Sequence, residues 1–124
     1  MRVQSYRVSV ATGETPHAEV TLTYSRRTAK AEAQGDGGYD AFMTALRKAA
    51  KDLGLEMATL TDFRVRIPPG GRTTALVETL ITWRREGRAR NTFTTLGVDS
   101  DQLAAAVIAT EKMLNALASR RRPA

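Results

Sequence analysis

Residues 33–54 read AQGDGGYDAFMTALRKAAKDLG, a stretch that sets Gly35, Gly37 and Gly38 beside Asp36 and Asp40 and then changes its period. From Phe42 onward the apolar residues Phe42, Ala45, Leu46, Ala49 and Leu53 recur at intervals of three and four, which places them on one face of a helix. Gly54 stands where a left-handed residue ends such a helix. Upstream the period is two. Ala18, Val20, Leu22 and Tyr24 alternate with polar neighbours in HAEVTLTYSRR, as Tyr6, Val8 and Val10 do before them, and TAKAEAQ follows as a third strand. The glycine run is thus the point where a strand turns into a helix.

The pattern then repeats. Phe63, Val65 and Ile67 in FRVRI echo Tyr6, Val8 and Val10 in YRVSV, and Ala75, Val77, Ile81 and Trp83 alternate through TALVETLITWRR with Thr79 in the same register. Each second strand ends in Thr-aromatic followed by Arg-Arg, and ARNTFTTL supplies the third strand of the second unit. GVDSD parallels GDGGYD as a glycine and acidic turn before a helix, in which Leu103, Val107, Thr110, Leu114 and Leu117 share a face and Asp99, Ser100 or Asp101 can cap. These observations predict an α+β fold of two pseudo-symmetric βββα units with helices packed on antiparallel sheets. The units fall at about 1–54 and 60–119 of one domain spanning 1–124, with LEMATLTD as the joint, PPGG (Pro68 to Gly71) as a turn, and 120–124 as a basic tail. Small one-sided sheets leave edges and apolar faces open, so a homodimer is expected.

Composition narrows the function. A chain of 124 residues without cysteine has neither disulfides nor thiol chemistry, and must be held by packing. Its N-terminus alternates where a signal peptide would be continuously apolar, and no run approaches a membrane span, so a cytoplasmic protein without membrane contact is the default. His17, the one histidine, falls beside Pro16 in an expected hairpin turn; no metal cluster, triad, HExxH, Walker or EF-hand pattern can be assembled, and no catalytic residue, metal or cofactor is expected. The net charge of +6 comes largely from Arg84, Arg85, Arg88 and Arg90 at an expected hairpin tip and from Arg120, Arg121 and Arg122 in the tail. No nucleic-acid-binding signature accompanies them.

GDGGYD keeps two readings. A glycine-rich turn entering a helix aims backbone N–H groups, with the helix dipole behind them, at an anion, and missing Cβ atoms let a ligand or partner chain come close. Alternatively the glycines serve only the turn, with Asp36 or Asp40 capping the helix.

GDGGYDAFMTALRKA, followed by LTDFRVRI, GGRTTALV and TTLGVDSDQLAAAVIATEKMLNAL, resembles the C-terminal regulatory domain of 2-isopropylmalate synthase and of its citramalate synthase relative, from about Arg2 to Leu117. The resemblance implies two βββα units, dimerisation, and a site for leucine or isoleucine as end-product effector. It implies that Gly35, Gly37, Tyr39 and Asp40 line the effector pocket, that Leu60 and Phe63 lie beside Asp62 in the family's Asp-Tyr motif, and that Ile67, Thr73 and Thr74 complete the wall. A zwitterionic effector needs donors for its carboxylate, acceptors such as Asp36, Asp40 or Asp62 for its ammonium, and an apolar socket. The sequence departs from the family pattern in having Gly38 for proline, Phe63 for tyrosine, and Ala105-Ala106 for Ala-Ser.

The family's acyl transfer requires a catalytic barrel and a divalent metal, which this chain lacks; with Met1 directly before the first strand, it reads as a free-standing regulatory domain or an excised fragment, acting beside a separate synthase barrel. Three classes of function follow: an amino-acid-sensing module, a structural dimerisation domain with a degenerate pocket, and, least favoured, a basic nucleic-acid binder.

Overall fold

The structure, a computed structural model, describes residues 1–67, 76–85 and 91–121. Its elements follow in the order β1 (Arg2–Ser9), β2 (His17–Tyr24), β3 (Arg27–Gln34), α1 (Gly38–Asp52), β4 (Thr59–Arg66), β5 (Val77–Arg84), β6 (Thr92–Asp99) and α2 (Gln102–Arg121). Two antiparallel three-stranded sheets result, β1-β2-β3 and β4-β5-β6, each followed by a helix. The α+β architecture of paired βββα motifs is therefore the one that the alternating periods predict. The chain divides into two compact units, Met1–Glu56 and Met57–Ala124. The expected PPGG turn, Thr73, Thr74, Ala75, Arg88, Arg90 and Arg122 lie outside the described residues.

In the first unit Ala18, Val20 and Leu22 of β2 and Ala29 and Ala33 of β3 are buried, and α1 lays Phe42, Ala45, Leu46 and Ala49 over that face. Each fully buried Leu or Phe contributes about 1.5–3 kcal/mol by leaving water. Tyr6 of β1 meets the Phe42 ring edge-on, with centroids 5.7 Å apart. α1 ends as expected at Gly54, φ +69°, where the amides of Gly54 and Leu55 donate back to Lys51 and Ala50 and satisfy the last carbonyls.

The β2–β3 hairpin turns on Ser25 and Arg26, both with positive φ (48° and 67°), as a two-residue type I′ loop requires. Arg27 leaves the turn as the first residue of β3 and extends its guanidinium to the carbonyls of Asp52 and Leu53, 3.3 and 3.4 Å away, at the C-terminal end of α1. That arginine is a structural tie. A side chain at positive φ is strained, so Arg26→Gly is expected to raise stability by about 1 kcal/mol in urea unfolding. A destabilised variant would mean that the Arg26 side chain makes contacts outweighing the strain.

In the second unit α2 packs on β5 and β6 and buries Val107, Thr110, Leu114 and Leu117, as its spacing predicts, together with Ala105, Ala106, Ala109 and Met113. Asp101 is the cap among the three expected candidates: its carboxylate accepts from the Ala104 amide at 3.1 Å, while Asp99 accepts from the Asp101 amide at 2.9 Å. The helix runs on through Arg121, so the basic tail begins later than expected. His17 is not in a turn but opens β2, half-buried and 3.8 Å from the Glu32 carboxylate. The joint LEMATLTD is likewise shorter than expected, since β4 starts at Thr59.

The ladders refine the internal repeat. Val3 pairs with Leu22 and Tyr6 with Val20; in the second unit Leu60 pairs with Trp83 and Phe63 with Ile81. Trp83 is therefore the structural counterpart of Leu22. The Thr-aromatic echo set it against Tyr24, two residues away on the same face. Both first strands also carry a bulge at the same place, at Gln4 and at Thr61, which the period-two reading did not reveal. Gly97 is inside β6 opposite Thr79, not in the turn that precedes α2.

Candidate functional site

The residues expected to line a site fall into two groups, one in each unit. Gly35, Asp36, Gly37, Tyr39 and Asp40 come together where β3 passes into α1. The Gly35 amide donates to Pro16 at 3.2 Å, and a Cβ on Gly35 would collide with the backbone nitrogen of Ala41 and sit 2.6 Å from Asp40 Oδ2. The close approach that glycine permits here is to the protein's own helix. Asp36 donates its amide to Asp40 Oδ2 at 2.9 Å, so Asp40 ties the turn together from the third residue of the helix. Neither aspartate caps α1. Its N-cap is Gly37, in extended backbone (φ −144°, ψ 175°), with no side-chain cap bond.

Gly37 differs from Gly35 in having nothing within 4 Å of a Cβ built on it, so the turn is open at this residue. Gly38, the first helical residue, faces Val8 of β1 and Val10 just beyond the end of that strand, at 3.2 and 3.5 Å from its would-be Cβ. Tyr39 stacks on Phe42 with centroids 6.0 Å apart. The turn thus presents an open N-cap position with a half-buried aromatic ring two residues on, backed by the partial positive charge of a helix of 15 residues.

In the second unit the bulge at Thr61 decides which side chains share a face. Leu60 and Phe63 are three apart, which in a regular strand would set them on opposite faces; the extra residue brings both to the side of Trp83 and Ile81. Asp62 pairs with Thr82 on the other face, where its carboxylate takes a 2.8 Å hydrogen bond from Arg64 Nε. Asp62 is therefore separated by the sheet from Leu60 and Phe63. Val65 and Ile67 continue the apolar row and are 41% and 64% exposed. Thr73 and Thr74 lie outside the described residues.

The solvent face of the first sheet carries an open depression of about 560 Å³ lined by Ser5, Glu19, Val20, Thr21, Lys30, Ala31 and Glu32. None of the expected site residues borders it. Among the described residues no three of His, Asp or Glu gather as metal ligands, and no helix is long and apolar enough to cross a membrane.

Compared with known proteins, residues 1–118 match the LeuA allosteric (dimerisation) domain. The chain is also similar to a probable 2-isopropylmalate synthase of Methanopyrus kandleri, 35% identical over 122 residues that cover 97% of this chain and 24% of that protein. It spans about a quarter of the length of that relative, the portion outside any match being the larger part of the synthase.

Proposed function

The chain belongs to the LeuA allosteric (dimerisation) domain family, and from that premise we propose that it binds a branched-chain amino acid, leucine or isoleucine, as the feedback effector of a 2-isopropylmalate or citramalate synthase barrel. The observation that carries the reading is the turn at Gly37. Open space over an N-cap at the positive end of α1 suits a carboxylate, which the unsatisfied first-turn amides of a helix attract. The apolar row Leu60, Phe63, Val65 and Ile67 supports an aliphatic ligand or a partner chain. Asp62, held by Arg64 on the other face, is not part of that row and serves it poorly as an ammonium acceptor.

The domain acts as a homodimer in the cytoplasm and leaves the acyl transfer to the barrel. Titration with leucine, isoleucine and valine tests the sensing role. A ligand present at a hundred times its dissociation constant stabilises the fold by about 2.7 kcal/mol, which a thermal-shift or calorimetric titration reads directly. Gly37→Glu, which places a carboxylate in open space, is expected to keep the unliganded stability and abolish the shift. No shift with any of the three amino acids at millimolar concentration discards sensing and leaves a dimerisation domain.

A further inference from the structure

The third strand of each sheet is an edge, and each edge is touched at the same place by a lysine from the following helix. Lys48 Nζ donates to the Glu32 carbonyl at 3.1 Å, and Lys112 Nζ to the Leu96 carbonyl at 2.7 Å. The positions are equivalent: Glu32 pairs with Glu19 and Leu96 with Leu80, and these face Arg7 and Arg64 of the respective first strands. In an antiparallel pair, residues alternate between turning their backbone groups to the partner and away from it. Arg85 N–H donates to the Asn91 carbonyl, so the alternation turns Thr92, Thr94, Leu96 and Val98 outward from β5. Those four residues form a ready template for another strand.

The two edges differ in what else protects them. β3 carries Arg27, Lys30 and Glu32, charges that discourage edge pairing by themselves. β6 reads TFTTLGVD, with no charge before Asp99, and Leu96 and Val98 are 37% and 38% exposed on its outer face. A strand of this composition is prone to pair with its own copy. We propose that β6 is a latent strand-addition edge for β6 of a second copy of this chain, and that Lys112 keeps it shut by occupying the Leu96 carbonyl with a charged ammonium. A second β6 running antiparallel meets no like charge along Thr92 to Val98, and it needs the carbonyl that Lys112 holds.

The test is light-scattering mass and amide exchange on Lys112→Met, with Lys112→Arg and Lys48→Met beside it. Lys112→Met is expected to double the wild-type molar mass, whatever oligomer the wild type forms, and to slow exchange at Leu96 and Val98. Lys112→Arg keeps a donor, and Lys48→Met leaves the charges of β3, so both are expected to retain the wild-type mass. Adding Thr94→Lys to Lys112→Met restores that mass by recharging the edge. An unchanged mass in folded Lys112→Met overturns the proposal, as does an equal increase in Lys48→Met. Amide exchange of the wild type decides independently of any variant's folding: Thr94, Leu96 and Val98 are expected to exchange freely, and protection there means that the edge is already paired.

Discussion

Gly97→Ala is expected to cost about 3 kcal/mol or more in urea unfolding, a loss set by a single methyl group. A Cβ at Gly97 would lie on the carbonyl oxygen of Ala105 and 2.8 Å from both the Ala105 carbonyl carbon and the Ala109 nitrogen. All three are backbone atoms of α2, so no side chain can rotate to make room. Relief requires lifting the helix from β6, which exposes Ala105, Ala106 and Ala109 and breaks the contact that buries them. Gly35→Ala is expected to lose stability for the same reason but by less, since part of its clash is with the Asp40 side chain, which can swing away. Gly37→Ala, in open space, is expected to stay within about 0.5 kcal/mol of wild type, the range of an unobstructed surface substitution. Should Gly37→Ala cost as much as Gly97→Ala, the ranking by backbone proximity is wrong.

These three glycines also mark where the sequence is legible. The apolar periods placed the strands and both helices because burial on one face leaves a direct mark on composition: Ala18, Val20 and Leu22, or Phe42, Leu46 and Ala49, can be read without coordinates. A glycine leaves no such mark, because one that turns the chain and one that admits a neighbouring backbone look alike. The sequence pattern groups Gly97 with the turn before α2, whereas what it serves is the helix crossing β6 eight residues further along at Ala105. The bulges were illegible for a related reason. Gln4 and Thr61 are ordinary strand residues, and only the ladder shows that Leu60 and Phe63 share a face while Asp62 does not.

The same limit governs the candidate site. Its residue types announced a turn with anionic affinity, but one contact consumes Asp40 and another fills the space at Gly35, leaving Gly37 as the open position. Local hydrogen bonding between Asp36 and Asp40 competes with capping, which is how short acidic side chains commonly behave at helix starts. Charge was equally ambiguous as a number. Arg27 ties the hairpin to α1, and Arg64 and Arg66 hold Asp62 and Glu78 on the outer face of their sheet. Those three arginines are engaged within the fold, which weakens net charge as an argument for a nucleic-acid partner.

Trp83→Ala is expected to cost about 3–5 kcal/mol, because the largest fully buried side chain is lost together with a buried polar chain. Trp83 Nε1 donates to Thr95 Oγ1 at 2.9 Å, and Thr95 passes its own hydrogen to the Ala109 carbonyl at 2.7 Å, joining β5, β6 and α2. Thr95→Val keeps the shape and removes the link, leaving the indole N–H buried without its acceptor; about 2 kcal/mol is expected to be lost. Trp83→Phe in the Thr95→Val background should then cost less than in wild type, because phenylalanine has no N–H to strand. A coupling of about 1–2 kcal/mol in that cycle is the signature of the network. Thr79, the counterpart of Ala18, provides the contrast: its buried hydroxyl has no partner among the described residues, so Thr79→Val is expected to be neutral or stabilising. The protein's single tryptophan reports the unfolding of wild type, Thr95→Val and Thr79→Val, with circular dichroism for the variants that replace it. Strictly additive losses at Trp83 and Thr95 would mean that the indole finds another acceptor when Thr95 is gone, and the chain of bonds would then be geometry without energetic coupling.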